Sequence, residues 1–543
     1  MFFLLLFLAL AGGCGKGGSS GSDATSMQPV RGDSQHGDIL VDFTIANPPT
    51  LNPLTAIDAV ERQISALVFN GLVKFDKNYK VIPDLAESWE FSPDFLHLLF
   101  HIRPGVKWHD GTLLTADDVA FTCDRIRDPA TGSPDRSLFL SVATLEIVEP
   151  LTVRVHYSEP YAWALESWAV KILPRHVFEQ ISPGSISSKE PPMVGTGPFK
   201  FIKWDQHEQI VLHANTDYFE QRPFLDGYTL RIIPDWSMAF LALKKGDIDI
   251  MKLNPDQFEK HAGSEEFRSG FQIFRYPRNA VTFIGYNNKG PILSDRSIRK
   301  ALTLSLDRAE IVKRVLYGSG HVSTGPFSSI HPGNDPFIRP LPFDTSEAIS
   351  LLSSSGWKDS DGDGILDKNG VPLRFELCTN HANNTRQLIS CFAAESWQKI
   401  GIKVTVSYLE WGVLLDKLLT GDFDAVLINS TFYPYSDPYN DWHTASIPGR
   451  GLGNEGNNYF AYSNPESDLL LEKARCTINA ADRTAILRKF HGMLHSDQPA
   501  TFLYTDEDQY AVDKRFRNVC IASDGILQGV QNWSVPPELR KYR

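Results

Sequence analysis

Residues 83–122, PDLAESWEFSPDFLHLLFHIRPGVKWHDGTLLTADDVAFT, carry the reading on which the fold rests. From Phe95 to Arg103 the residues alternate, with Leu96, Leu98, Phe100 and Ile102 on one face and His97, Leu99, His101 and Arg103 on the other. A period of two predicts a half-buried strand. The dipeptide Asp110-Gly111 then marks a turn. Thr115, with Asp118 three residues on, predicts a capping box that opens a helix through Val119, Phe121 and Ile126. His97 and His101 stand four apart, a spacing that suits metal ligands on a helix. On a strand they lie about 13 Å apart, too far for one zinc ion with bonds of about 2 Å. A solvated strand face is the preferred reading.

The remainder of the chain is long enough for two or three domains. The whole chain's 42% hydrophobic and 11% aromatic content predicts a folded globular body. A net charge of −12 argues against nucleic-acid binding, which needs a basic patch. One unit occurs twice. Residues 239–250 (AFLALKKGDIDI) and 414–426 (LLDKLLTGDFDAV) each read as a helix stopped by glycine and followed by a strand. Such an echo suits two α/β lobes of like construction.

Several segments together resemble the family 5 extracytoplasmic solute-binding proteins, the peptide- and nickel-type receptors of ABC importers. These are Leu85-Ala-Glu-Ser-Trp89, Arg103-Pro-Gly-Val-Lys-Trp108, Val194-Gly-Thr-Gly-Pro-Phe199, Tyr286-Asn-Asn288 and the helix-like run from Ser294 to Leu302. The resemblance implies an α/β, bilobed type II periplasmic-binding-protein fold with an extra subdomain and a two-strand hinge. One lobe would span residues 38–280, with the extra subdomain at about 86–194 and a C-terminal return at 510–543. The other would span 285–505, and the hinge strands would cross near 276–283 and 505–512. It also implies a non-catalytic chain that closes two lobes around a solute and delivers it to a permease and ATPase pair. Oligopeptide is the leading ligand, with nickel chelate, glycoside or another small solute as alternatives. A sensory receptor that presents ligand to a membrane protein is the reading from a different class. A monomer without cofactor is expected.

No nucleophile elbow, H-E-x-x-H or P-loop pattern occurs in the chain. The string Asp359-Ser-Asp361-Gly-Asp363-Gly364 resembles the first half of a calcium loop, but its twelfth place is Gly370 rather than a bidentate acid. A tight polar turn is preferred, and no metal site is assigned. Dipeptide-binding members of the family hold the ligand ammonium with an Asp shortly before an Asp-Pro pair. Here Tyr433-Pro-Tyr435-Ser precedes Asp437-Pro438, and the upstream Arg of those members has only Arg386 near its place. Both dipeptide anchors look lost. The expected ligand-facing residues are Asn47 and Leu51 in the first loop, Trp411, Tyr433, Tyr435 and Asp437. Phe432 crowds the same loop. Aromatic and amide linings suit peptides held through the backbone.

The run from Met1 to Ala11 is apolar, about 16 Å of helix and too short to span a membrane. It reads as a signal segment, residues 1–14, ending in Gly12-Gly13-Cys14. Small residues before a lone Cys resemble a lipobox, which implies lipid attachment at Cys14. Residues 15–37 carry almost nothing apolar and predict a flexible tether with a reach of roughly 25 Å. The other five cysteines are scattered and are expected to be mostly buried thiols, with Cys378 and Cys391 the nearest pair. Replacing Cys14 by Ser should release the chain from membranes, because an acidic body offers no second hold. A variant that still sediments with salt-washed membranes would refute lipid attachment.

Overall fold

The computed structural model describes residues 36–542 apart from 57, 186–191, 382, 433–435, 451–455 and 522–524. Cys14 and most of the tether therefore lie outside the described residues, as do Tyr433 and Tyr435.

The strand predicted from alternation is present as His97–Ile102, with Leu98, Phe100 and Ile102 buried. It is paired antiparallel between Ala86–Phe91 and Thr152–Tyr157, and Val142–Glu149 completes a four-stranded sheet. The predicted helix follows as Ala116–Arg127, where the Asp118 carboxylate accepts the Thr115 N–H at 2.9 Å. Phe100 and Phe139 pack edge-on against Trp168, at centroid distances of 5.6 and 5.2 Å. Residues 195–197 tie this subdomain to the rest of the chain. A Cβ on Gly195 would meet the Val68 carbonyl oxygen at 1.8 Å, so the close approach requires glycine.

A second four-stranded sheet runs Ile39–Thr44, Gly227–Ile232, Gln209–Ala214, Phe199–Asp205, its first pair parallel and the others antiparallel. The largest sheet has eight strands. Its path is Ile250–Lys252, Ala500–Asp513, Ala280–Tyr286, Ala425–Thr431, Arg374–Asn380 and Lys403–Leu409, with Phe271–Pro277 and Gly320–Val322 also paired to Ala500–Asp513. The repeated helix–glycine–strand unit is present twice. Trp236–Lys245 stops at Gly246 (φ 79°) and Trp411–Thr420 at Gly421 (φ 74°), both left-handed, before strands Ile250–Lys252 and Ala425–Thr431.

Ala500–Asp513 changes partners along its length. Residues 500–506 pair with Ala280–Tyr286 and Gly320–Val322, whereas residues 507–513 pair with Phe271–Pro277 and residues 510–512 also with Ile250–Lys252. The chain passes between the same two groups once more, between Pro277 and Ala280. These are the two crossings expected of the hinge. Ion pairs brace them: Arg278 to Asp506 at 3.6 Å, Arg275 to Glu507 and Lys252 to Asp508.

The C-terminal return is held by a buried charge cluster. Arg515 forks onto Asp249 at 2.5 and 2.7 Å and reaches Asp38 and Asp513 at 3.0 Å each. Lys541 pairs with Asp249 and Asp513 at 3.2 and 2.8 Å. Asp38 in turn accepts the Lys541 and Tyr542 N–H groups, and Asp249 accepts that of Val41. One guanidinium thus joins the first strand, the residues just before Ile250 and the chain end. Burial alone would lower the Arg515 pKa, but hydrogen bonding and charge from Asp249 outweigh it and hold it raised.

The cysteine expectation is corrected. Cys123 and Cys378 are buried, but Cys391, Cys476 and Cys520 are exposed, and all five are unbridged. Cys391 sits on the outer face of the helix Asn384–Gln398, where sequence pattern gave no reason to place a thiol.

Removing one partner of a buried ion pair leaves its counter-charge stranded, at a cost of about 3–5 kcal/mol. Arg515→Met should lower the unfolding free energy by about that much in urea titration. Arg275→Met, at a half-exposed pair, should cost at most about 1 kcal/mol. Equal losses in the two variants would contradict this ranking.

Candidate ligand-binding cleft

Arg374–Asn380, Lys403–Leu409 and Ala425–Thr431 run parallel, so their carboxyl ends form one edge. In α/β sheets such an edge is where ligands sit. The helix Asn384–Gln398 starts there, with the Asn383 side chain accepting the Arg386 N–H at 3.0 Å. That cap puts Arg386 in the first turn, facing back to the strand ends. Its guanidinium donates to the Asn380 side-chain oxygen at 2.8 Å and to that of Asn429.

Arg386 is 9% exposed, and among the described residues no carboxylate lies within ion-pair distance of it. Burial pulls its pKa down to about 10, partly opposed by Tyr504 and Asp506. Two other buried guanidiniums differ in kind. Arg299 spends its donors on the carbonyls of Leu293, Ser294, Asp497 and Gln498, and Arg308 on those of Ser323, Leu341 and Phe502. A guanidinium has five N–H donors. Arg386 directs them at two amide oxygens, which leaves capacity for an incoming acceptor. Nearby Arg278 loses basicity to burial but regains more from Asp506 and Asp508, so its pKa stays raised.

The residues expected to face ligand fare differently. Trp411 begins its helix just beyond the end of Lys403–Leu409 and is 43% exposed. Asn47 is half-buried, and its side-chain oxygen accepts from Trp204 Nε1 at 3.1 Å and the His207 N–H at 3.2 Å. It fixes the 205–209 turn against the first loop. Leu51 is a core residue, 1% exposed, packed in the main hydrophobic cluster, so it presents no surface to a ligand. Phe432 is likewise buried, its ring 5.9 Å from that of Phe327.

Asp437 requires a correction. Its carboxylate lies 2.8 Å from Arg475 Nε and accepts from the Tyr161 hydroxyl at 3.4 Å. Burial raises its pKa, while Arg475 and the Tyr439 N–H oppose the rise. With a guanidinium already matched to it, this charge is not open to a ligand ammonium. Arg386, set aside on the sequence, is the polar group the strand edge does offer. The cap Asn383 three residues before it was the signal that fixes its direction; nothing in the sequence pointed to Arg475 or Tyr161.

In the loop at 359–367, the carboxylates of Asp359, Asp361 and Asp363 converge and are exposed. Asp359 accepts the N–H groups of Gly362 and Gly364 at 2.7 and 3.0 Å, and Asp363 that of Ile365 at 2.8 Å. Turn formation accounts for these acids.

The family model for bacterial extracellular solute-binding proteins, family 5, matches residues 80–451. The oligopeptide-binding protein AppA of Bacillus subtilis is 31% identical over 545 residues, covering 98% of this chain and 97% of AppA. The periplasmic oligopeptide-binding protein OppA of Haemophilus influenzae is 27% identical, covering 83% and 85%. Among solved structures, AppA from Bacillus subtilis in complex with a nonapeptide superposes with a TM-score of 0.84 at 30% identity, covering 92% of this chain and 99% of that one. NikZ from Campylobacter jejuni in complex with Ni(L-His) gives 0.82 at 27% identity with the same coverage. The two-lobed α/β architecture is thus that of periplasmic binding proteins, and the chain belongs to family 5 of the bacterial extracellular solute-binding proteins.

Proposed function

We propose that this chain is the substrate-binding subunit of an ABC importer, capturing oligopeptides outside the cytoplasm and handing them to a permease driven by an ATPase. It binds and does not catalyse. Residues 38–280 with 510–543 form one lobe, including the subdomain at 86–194, and residues 285–505 form the other. Lipid on Cys14 holds the monomer at the membrane through the tether. No helix of the described residues is long and apolar enough to cross a membrane.

One observation carries the ligand reading: the buried Arg386 guanidinium at the strand edge, with no carboxylate beside it among the described residues. A buried cation without a counter-charge is costly and favours a ligand that supplies one. A peptide carboxylate does so, and Trp411 offers an exposed ring beside the same edge. Asp437 is committed to Arg475, so it provides no anchor for a peptide ammonium. Short zwitterions therefore gain less here than longer peptides with backbone to pair. A metal chelate with a free carboxylate is the second reading, favoured by the likeness to NikZ holding Ni(L-His).

A hydrogen-bonded contact to a charged group contributes about 1.5–3 kcal/mol. In calorimetry with a pool of synthetic peptides, Arg386→Met should therefore weaken binding by about 10- to 100-fold. C-terminal amidation of the peptides should weaken binding to the wild type comparably and leave the variant unaffected. Wild-type affinity in Arg386→Met would remove Arg386 from the site.

A further inference from the structure

Away from the crossing strands, residues 159–166 of the subdomain seat on two helices of the other half, Pro465–Cys476 and Ala480–Asp497. Tyr161, Ala162 and Trp163 are buried there. The Arg475 guanidinium lies between two rings, 5.2 Å from the centroid of Tyr161 and 4.4 Å from that of Tyr439. The Ala162 N–H donates to the Arg475 carbonyl at 2.6 Å, filling an acceptor in the last turn of Pro465–Cys476. Arg483 stands 5.3 Å over the Trp163 ring, and Cys476 Sγ lies 3.8 Å from Glu159.

The arrangement of charge decides what this contact can do. Asp437 and Arg475 belong to the same half, so their ion pair survives if the halves part. What would leave is Tyr161 with its hydroxyl, Trp163 with its ring, one backbone N–H, and the carboxylates of Glu159 and Glu166, which face Cys476 and Arg483 and pass into water as the halves part. None of these strands a buried charge. A contact built on a cross-half ion pair would be costly to break; this one separates at the cost of cation–π contacts, a few hydrogen bonds and apolar area.

We propose that residues 159–166 are a clasp that holds the two halves shut, with the Asp437–Arg475 pair as its fixed seat. Tyr161, Arg475 and Asp437 are then positioning residues. They act on ligand affinity through the closed population without touching the ligand, because a receptor's apparent affinity scales with the fraction of its binding-competent state. This rests on the reading of the chain as a receptor that closes over a solute.

The test compares wild type, Tyr161→Ala, Tyr161→Phe and Arg483→Gln by hydrogen exchange and by release of a fluorescent nonapeptide. Arg483→Gln removes the cation over Trp163 together with its bonds to the Thr477 and Ile478 carbonyls at 3.1 Å, so residues 158–166 are the segment that reports the clasp in that variant, and protection in Ala280–Tyr286 reports that the fold is intact. In ligand-free protein, Tyr161→Ala and Arg483→Gln should speed exchange in residues 158–166 and 472–483 while Ala280–Tyr286 stays protected. Tyr161→Ala should raise the release rate about tenfold, with association changed less than about twofold. Tyr161→Phe keeps the ring beneath the guanidinium and should stay near wild type. Unchanged exchange in both segments, or faster exchange with unchanged release, would overturn the clasp. A wild type that binds no peptide yet shows the exchange response would defeat the peptide reading and keep the clasp.

Discussion

The 14-residue strand Ala500–Asp513 is shared between two groups of strands, and that sharing limits every other feature of the molecule. Its first half is a partner of Ala280–Tyr286 and its second half of Phe271–Pro277. Two groups of strands joined at such a line can rotate about it but cannot slide, because the ladder hydrogen bonds fix register on both sides. The alternating charges of Arg275, Arg278, Glu507, Asp506 and Asp508 brace the line on one side of the pairing and its partner strand. Hinge motion of a receptor needs this combination: pairing that persists and a short stretch that bends.

Rigidity on either side of the hinge has distinct sources. On one side the Arg515 cluster fastens the chain end to the first strand, with a fork on Asp249 that only an arginine supplies. On the other, Arg299 and Arg308 bind backbone carbonyls of segments that would otherwise leave acceptors unmatched in the core. These guanidiniums are consumed by structure. Arg386 is not: it gives its donors to two amide oxygens and keeps capacity to spare, and the proposed ligand contact rests on that difference.

Much of this was readable from local pattern. The strand His97–Ile102, the cap at Thr115 and Asp118, and the two helices ending at Gly246 and Gly421 each depend on residues a few positions apart, so sequence spacing was sufficient. The crossings near 277 and 506 were placed through family resemblance. The site was harder, because its chemistry depends on partners distant in sequence. Asp437 stands in a loop where a ligand carboxylate is plausible, yet Arg475 and Tyr161, both far along the chain, neutralise and cover it. Leu51 lies in a loop but fills the core, and no local pattern distinguishes a loop leucine turned inward. Arg386 stands a few residues from the place the family pattern gives its arginine, yet the Asn383 cap turns it toward the strand ends.

The central claim is that a solute bound at this strand edge draws the halves together about Ala500–Asp513. Small-angle scattering of the purified chain, with and without a saturating nonapeptide, tests it most directly. The account predicts a smaller radius of gyration with peptide, when nearly all molecules hold residues 159–166 seated as here, and a larger one without, when only a fraction of them does. An unchanged radius under peptide concentrations that calorimetry shows to be saturating would contradict it.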